Sequence, residues 1–287
     1  TMAVLQHRAK LSIVPIFTTC LSFITTTTRS MSLVPRRKFN KKPAGVLFDL
    51  DGTLLDTEPL GCQAVYLTMQ DKMSDEAKQA FADRNYAMEW TLKQKTLGLP
   101  DRKWPPIVLA WAQEHWGVTL VPTVDEFLEQ WDSHMIQNMA GVEALPGAKE
   151  LIQQFAVTDR LPCAIATSSR SQAVQQKRQH HEDMFRHMQT IVTTDHPSVK
   201  QGKPAPDIYL EAARRLNVNP EECLVFEDGM TGCLAGRAAG CFVIAIPDGR
   251  STPEEKEAFS QVADLLLDNL TQFDWSLVVA EQENGAT

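Results

Sequence analysis

The sequence lacks the features that define several classes of protein. Its six cysteines form no C-x-x-C pair and have no histidines at metal-ligand spacing, which argues against a zinc site and fits a reducing compartment. With 14 glycines and 16 prolines among 287 residues, the chain is neither collagenous nor of low complexity. The apolar stretch 11–24 is interrupted by Pro15 and by threonines, and it is too short for a membrane span. We therefore predict no membrane partner.

Acidic residues are missing from the start of the chain. Eight of the 28 basic residues, and none of the 36 acidic ones, precede Asp49. Because transit peptides are basic, rich in serine and threonine and poor in acid, we predict that residues 1–42 are a disordered segment that targets a chloroplast or a mitochondrion. A secretory signal, or a plain tail before a start at Met31 in a cytoplasmic protein, stays open. The rest of the chain is acidic, which argues against nucleic acid as a partner.

Short apolar runs alternate with helical patterns after residue 42. Each run is bounded by polar or turn residues, and the runs cover residues 45–48, 162–166, 190–192, 223–226 and 242–246. Continuous apolar runs of this length predict strands that are buried on both faces of a parallel sheet. The helical patterns between them cover residues 148–156, 171–181, 206–216 and 231–239. This alternation predicts an α/β fold, a doubly wound parallel sheet with a Rossmann-like core.

One interval contains helical patterns alone. They cover residues 62–70, 75–98, 105–116 and 124–139. The interval also holds five of the six tryptophans, Trp90, Trp104, Trp111, Trp116 and Trp131. We predict that residues 61–140 form a helical cap domain inserted after the first strand. The α/β core then comprises residues 43–60 and 141–275, and residues 276–287 form a tail.

Polar side chains stand where the predicted strands end. They are Asp49 and Asp51 after the first strand, Thr167, Ser168 and Ser169 at the end of the second, and Glu227 and Asp228 after the fourth. Lys203 lies in a loop with glycine and proline after the third strand. Because ligands of an open parallel sheet bind beyond the carboxyl ends of its strands, these groups are expected to converge on one crevice.

This set of groups suits phosphoryl transfer. Several carboxylates close together repel one another unless a hard cation lies among them, and oxygen ligands favour Mg²⁺. Hydroxyls, backbone N–H groups and a lysine bind the oxygens of a phosphate. Of two carboxylates two residues apart, one can attack phosphorus while the other moves a proton. The sequence therefore predicts a small phosphorylated metabolite as the partner.

Four segments, in the same order along the chain, resemble the motifs of the haloacid dehalogenase-type phosphatases. They are FDLDGTLLDTE at residues 48–58, ATSSRS at 166–171, GKPAPD at 202–207 and VFEDG at 225–229. The resemblance runs from Val46 to Leu267 and is weakest in the helical insert. Within the family, the sequence is most similar to the group of pseudouridine-5′-phosphatases and plant glycerol-3-phosphatases.

The resemblance implies a role for each motif residue. Asp49 is the nucleophile and forms an aspartyl-phosphate, and Asp51 is the general acid and then the base for the hydrolytic water. Thr167 and Ser168 bind the phosphate. Lys203 neutralises charge on Asp49 and on the phosphoryl group, which makes it part of both the catalytic and the phosphate-binding set.

The same resemblance implies a metal site and a lid. Mg²⁺ is held by the side chain of Asp49, the carbonyl oxygen of Asp51 and Asp228, with Glu227 at or near the coordination shell. The helical cap closes over the site, excludes water and touches the leaving group. The implied activity is Mg²⁺-dependent hydrolysis of a small monophosphate of the polyol, sugar or nucleotide type.

Two other functions stay open at this point. A sugar phosphomutase of the β-phosphoglucomutase type shares the motifs. A phospho-aspartate signalling or binding module also uses an aspartate after a strand, but it lacks an acid two residues further on, so Asp51 argues against it. We expect a monomer or a weak homodimer.

Overall fold

The computed structural model describes residues 34–96, 99 and 102–280. Most of the predicted transit peptide, residues 1–33, lies outside the described residues, and organellar targeting stays a prediction. Residues 281–287 of the predicted tail also lie outside the described residues.

Among the residues that the structure describes, six parallel strands form one sheet. They are β1 (Gly45–Phe48), β2 (Cys163–Thr167), β3 (Thr190–Thr193), β4 (Cys223–Glu227), β5 (Phe242–Ala245) and β6 (Leu265–Leu266). Their order across the sheet is β3-β2-β1-β4-β5-β6, so the winding direction switches between β1 and β4. The predicted α/β fold with a doubly wound parallel sheet is confirmed. In such a sheet the crevice for ligands opens at the carboxyl ends of the strands beside this switch.

Between β1 and β2, the described residues up to Asn138 form five α-helices, which we call the helical insert. They are α1 (Glu58–Met69), α2 (Asp75–Asp83), α3 (Trp90–Thr96), α4 (Pro105–His115) and α5 (Val124–Asn138). The insert has an apolar cluster of its own, which includes the buried side chains of Phe81, Trp116 and Phe127. The rings of Phe81 and Trp116 meet edge to face at 5.1 Å. A separate cluster means that these helices do not depend on the sheet to bury their aromatic residues.

The helical pattern predicted over residues 75–98 is interrupted in the structure. The chain forms α2 and α3 instead, separated by a turn in which Asn85 (φ 51°) and Tyr86 (φ 62°) adopt left-handed backbone angles. The N–H of Tyr86 donates to the carbonyl of Phe81 at 2.7 Å, which closes the end of α2. Asparagine tolerates this conformation, and the ring of Tyr86 packs on Tyr66 at 4.9 Å. Tertiary packing therefore ends α2 inside a helical pattern.

Helices cover both faces of the sheet. They are α6 (Ala148–Ile152), α7 (Ser171–His180), α8 (Glu182–Phe185), α9 (Asp207–Leu216), α10 (Met230–Ala238), α11 (Pro253–Val262) and α12 (Trp275–Val278). α6 continues as a π-helix over Gln153–Thr158. The four helices predicted between strands are confirmed within a few residues at their ends. Among the helices that the structure describes, none is long and apolar enough to cross a membrane.

The strands are buried because each face of the sheet carries its own core. Val46 and Phe48 pack in one core with Phe155 of the π-helix, whereas Leu47 packs in the other with Tyr209 of α9. Successive side chains of a strand point to opposite faces. An uninterrupted apolar run is therefore what a strand between two cores requires.

Residues just before the sheet contact the core, although the sequence analysis placed them in the N-terminal segment. Phe39 donates its N–H to the carbonyl of Val278 at 2.7 Å. Its ring packs on the ring of Phe242, with the two centroids 5.2 Å apart. Arg37 forms an ion pair with Asp264 at 2.9 Å. The ordered core thus begins before residue 43.

The helical insert also contacts the loop after β5. Arg250 in this loop lies over the ring of Trp90 at 4.7 Å from its centroid. Its guanidinium pairs with Asp248 at 2.6 Å and reaches Glu58 of α1 at 3.6 Å. Lys93 of α3 binds the same Glu58 at 2.5 Å. Charged side chains of the helical insert and of the loop after β5 therefore meet at the edge of the sheet where the strands end.

Candidate active site

Asp49 is the first residue beyond β1 and remains tied to the sheet. Its N–H donates to the carbonyl of Phe226 in β4 at 3.0 Å, which fixes the backbone at the switch between the two strands. The side chain is buried, and its Oδ1 accepts a hydrogen bond from Lys203 Nζ at 2.5 Å. The strand end thus presents one carboxylate in a fixed position.

Lys203 joins the two strand ends. Its Nζ contacts Glu227 Oε1 at 2.5 Å as well as Asp49, and its side chain is only 5% exposed. The loop that carries it is held by Asp207, whose carboxylate accepts hydrogen bonds from the N–H groups of Lys200 (2.9 Å) and Gln201 (3.0 Å). Burial alone would lower the pKa of Lys203, but Asp49 and Glu227 outweigh it and raise this pKa. Lys203 is therefore a fixed cation.

Three carboxylates form the acidic centre of the site. Oxygens of Asp49, Glu227 and Asp228 lie within 4.8 Å of one another. Burial and the neighbouring carboxylates raise the pKa of Asp49 to about 7, although Lys203 opposes this, and the same causes raise the pKa of Asp228 well above its usual value. One lysine therefore does not balance the negative charge, and the donor set fits a hard divalent cation.

Thr53 and Gly52 connect the first motif to Asp228. Thr53 Oγ1 donates to Asp228 Oδ1 at 3.0 Å. Gly52 has a φ of +82°, and a Cβ at this position would overlap the carboxylate of Asp228. Glycine is needed here for both its backbone conformation and its small size.

Asp51 has different surroundings from Asp49, although it lies only two residues further on. Its Oδ2 accepts a hydrogen bond from Ser169 Oγ at 2.7 Å, and its Oδ1 binds Lys177 Nζ at 2.5 Å. Burial would raise the pKa of Asp51, but Lys177 and the hydroxyl donors outweigh it and lower this pKa. The pKa values of the two aspartates are therefore shifted in opposite directions, upward for Asp49 and downward for Asp51.

The predicted phosphate-binding residues lie beside Asp51. Thr167 is the last residue of β2 and is fully buried, with its Oγ1 at 3.4 Å from Asp51 Oδ2 and accepting the N–H of Ser169 at 3.0 Å. Ser168 is exposed next to it. The seven predicted site residues thus all stand at the carboxyl edge of the sheet, and their roles stay predictions.

Sequence reasoning missed three side chains of the site, Thr53, Lys177 and Tyr209. Tyr209 donates its hydroxyl to Glu227 Oε1 at 2.5 Å from α9. Lys177 stands three residues after Val174 of α7, which places both on one side of this helix, but the spacing does not show which groups its Nζ binds. Tyr209 stands at helical spacing with Ala212, Ala213 and Leu216, which marks the buried face of α9 but not the contact of its hydroxyl with Glu227.

Comparisons with known proteins agree with this geometry. A (DL)-glycerol-3-phosphatase 2 of Arabidopsis thaliana is 34% identical over 242 residues, which is 83% of this chain and 93% of the relative. A probable pseudouridine-5′-phosphatase of Drosophila melanogaster is 30% identical over 80% of this chain and 93% of its own. The crystal structure of a HAD family hydrolase from Deinococcus radiodurans R1, with bound phosphate and sodium, superposes with a TM-score of 0.59 at 29% identity over 79% of this chain and 92% of that one.

The family model for haloacid dehalogenase-like hydrolases matches residues 43–240, which is more than half of the chain. This range contains all four motifs and every residue of the site described above. The resemblance that the motifs indicated is therefore confirmed, and the chain belongs to the haloacid dehalogenase-like hydrolases.

Proposed function

We propose that this protein is a Mg²⁺-dependent phosphomonoesterase that hydrolyses a small-molecule monophosphate through an aspartyl-phosphate. The observation that carries the proposal is the contrast between Asp49 and Asp51. Asp49 lies against Lys203 and two further carboxylates, where a phosphoryl group and a cation fit. Asp51 is held by a lysine and hydroxyl groups, apart from this cluster. Lys177 lowers the pKa of Asp51, which suits the base of the second step. For the first step, the negative charge of the bound phosphate ester is proposed to raise this pKa, so that Asp51 carries the proton that it donates.

The proposed reaction has two steps. A carboxylate oxygen of Asp49 attacks phosphorus, the bond from phosphorus to the ester oxygen breaks, and Asp51 gives its proton to the departing alcohol. Water then attacks the phosphorus of the aspartyl-phosphate, Asp51 takes a proton from this water, and the carboxylate of Asp49 leaves as inorganic phosphate forms. Lys203 offsets negative charge at Asp49 throughout, and Thr167 and Ser168 bind phosphate oxygens.

The three clustered carboxylates are the proposed metal ligands, together with the carbonyl oxygen of Asp51. The raised pKa values of Asp49 and Asp228 support this assignment, because they indicate negative charge that the side chains of the site do not balance. When bound, Mg²⁺ supplies electrostatic stabilisation to the phosphoryl oxygens.

The helical insert is proposed to act as the cap that covers the site. Its charged contact with the loop after β5, through Glu58 and Arg250, lies at the edge of the sheet that carries the site. A cover at this place excludes water during the first step and contacts the leaving group.

The substrate class is proposed from the relatives. Those named above are a glycerol-3-phosphatase and a probable pseudouridine-5′-phosphatase, so we propose a polyol, sugar or nucleotide-type monophosphate. The test is phosphate release from a panel of glycerol phosphates, pseudouridine 5′-phosphate and sugar phosphates, with Mg²⁺ and after EDTA. Steady release that needs Mg²⁺ and no bisphosphate activator supports the proposal. Isomerisation of a sugar phosphate without net phosphate release would support a phosphomutase instead.

The roles of the two aspartates are tested with p-nitrophenyl phosphate, whose leaving group departs without a proton. Asp49→Asn should abolish turnover of every ester, because the covalent intermediate cannot form. Asp51→Asn should lose about 10²–10⁴-fold on alkyl phosphates, the usual contribution of proton transfer, yet show a burst of p-nitrophenolate and a phosphorylated Asp49 by mass spectrometry. Covalent phosphate in Asp49→Asn would refute the assignment.

A further inference from the structure

Lys177 is a buried cation that none of the four motifs contains. It lies near the end of α7, and its side chain is only 3% exposed. The next residue, Arg178, is 49% exposed and forms an ion pair with Glu182 at the start of α8. Burying an ammonium group costs several kcal/mol unless it is paired and hydrogen-bonded. The position of Lys177 therefore depends on the groups that its Nζ binds.

Those groups belong to the site. Lys177 Nζ binds Asp51 Oδ1 at 2.5 Å and donates to Ser169 Oγ at 2.8 Å, while Ser169 Oγ lies 2.7 Å from Asp51 Oδ2. Lysine, serine and carboxylate thus form a closed triangle of contacts, with Lys177 on one oxygen of Asp51 and Ser169 on the other. A carboxylate held by both oxygens cannot rotate without breaking one of these contacts.

We infer that Lys177, with Ser169, is a positioning residue that fixes the orientation of the Asp51 carboxyl group. The inference rests on the proposed function of Asp51 as the group that transfers the proton. Such a group works only within hydrogen-bond reach of the ester oxygen or the attacking water, about 2.6–3.2 Å. A flexible aspartate samples several orientations, whereas the triangle selects one.

The triangle leaves room for the proton transfer itself. A carboxylate offers about four acceptor positions on its two oxygens. Lys177 and Ser169 take one position on each oxygen, and the hydroxyls of Thr167 (3.4 Å) and Thr57 also face this carboxyl group. The proton that passes to the alcohol or comes from the water therefore uses a position that one of the two threonine hydroxyls gives up.

A purely structural role, in which Lys177 and Asp51 only join α7 to the loop after β1, makes a different prediction. Loss of such a link would lower stability and damage every reaction of the site to the same extent. A positioning role damages only the steps that use Asp51. The leaving group separates the two, since p-nitrophenolate departs without the proton of Asp51.

The experiment compares Lys177→Met with Arg178→Met, the matched removal of a cation from the same helix. In Lys177→Met we expect kcat to fall by roughly 10- to 100-fold for the best alkyl phosphate of the panel, since misplacement by about 1 Å can cost this much. KM and the p-nitrophenolate burst should change by less than about threefold, because neither uses the proton. Arg178→Met should match the wild type.

A double-mutant cycle tests whether Lys177 acts through Asp51. If Lys177 acts through Asp51, adding Lys177→Met to Asp51→Asn should cause no further loss, because coupled residues are not additive. Ser169→Ala, which keeps the lysine, should show the same selectivity in a weaker form. Circular dichroism and melting temperature establish that each variant is folded.

Three results would overturn the inference while leaving the proposed function intact. They are equal losses of the first-step rate on alkyl and aryl esters, a full additional loss in the Asp51→Asn background, or failure of both Lys177→Met and Ser169→Ala to fold. If the wild-type enzyme forms no phosphorylated Asp49, the proposed function fails first, and the inference fails with it.

Discussion

Gly232 of α10 lies against the carboxylate of Glu227, so closely that a Cβ at position 232 would overlap its oxygens. The backbone angle of Gly232 is not in the left-handed region, so space alone requires glycine here. The same carboxylate binds Lys203 and Tyr209. The backbone of α10 at Gly232 therefore lies against Glu227, which together with Asp49 binds Lys203.

Gly232→Ala should consequently displace Glu227 and loosen Lys203. We expect metal affinity or kcat to fall by about 10- to 100-fold, the usual effect of disturbing a group that orients metal ligands. Titration with Mg²⁺ and steady-state kinetics measure this. Gly61→Ala is the matched control, because Gly61 is also helical and its Cβ would meet only Trp131 at an ordinary 3.9 Å. Equal behaviour of the two variants would contradict the prediction.

Metal binding should weaken as the pH falls below about 7. The pKa of Asp49 is raised to about 7 by burial, so at lower pH this carboxyl group holds a proton that a cation must displace. Each proton released makes the apparent affinity fall up to about tenfold per pH unit. Calorimetric titration with Mg²⁺ between pH 5.5 and 8, chosen as about 1.5 units below and one above this pKa, gives the slope. A flat profile would show that Asp49 is ionised without metal.

The metal-free protein should show the opposite trend in stability. A carboxyl group with a raised pKa in the folded state binds more protons than in the unfolded state, so the free energy of unfolding falls as the pH rises from about 4 to about 7. The slope from one such group is at most about 1.4 kcal/mol per pH unit. Urea unfolding in EDTA measures it, and Asp49→Asn should reduce the slope.

Much of this architecture is predictable from sequence because it depends on local pattern. Strands that run between two cores need continuous apolar residues, so β1, β2 and β4 are visible directly. The motif residues at their ends follow from the geometry of parallel sheets. β6 has only two residues, Leu265–Leu266, which is too short to carry a pattern. α11 had a readable signal, the capping box of Thr252 and Glu255.

What escaped prediction depends on contacts between distant segments. The break between α2 and α3 follows from left-handed angles at Asn85 and Tyr86, stabilised by packing on Tyr66. Lys177 is 126 residues away from Asp51 in the chain, and its burial is visible only once α7 is packed. Local propensity does not reveal that Tyr86 packs on Tyr66 or that Lys177 binds Asp51.

The core on the π-helix face should depend strongly on Phe155. Its ring lies within 5.1–6.2 Å of the rings of Phe48, Phe226, Phe273 and Trp275. Phe155→Ala should lower the free energy of unfolding by about 3–5 kcal/mol, through lost transfer energy and the cavity left behind. Val157→Ala, at a position on the same π-helix that is 42% exposed, should change it by less than about 0.5 kcal/mol. Urea unfolding of both variants checks the contrast.

Residues 34–42 should contribute to stability and not to catalysis. A chain shortened to begin at residue 43 loses the packing of Phe39 on Phe242 and the backbone bonds to Val278 and Ala280. We expect a loss of about 1.5–3 kcal/mol, the usual value for burying a phenylalanine, with kcat unchanged. A chain that begins at residue 34, and Phe39→Ala in that chain, are the comparisons. Equal melting temperatures for all three would refute the prediction.

The stacking of Arg250 on Trp90 has a practical consequence. It joins a guanidinium of the core to an indole of the helical insert across 4.7 Å. This cation–π attraction acts only within about 6 Å of the ring, so it is lost when the two side chains separate. Trp90 is thus an intrinsic fluorophore that sits on the boundary between the two parts of the molecule. If the helical insert opens as the proposed cap, the emission of Trp90 is expected to report this motion in the unlabelled protein.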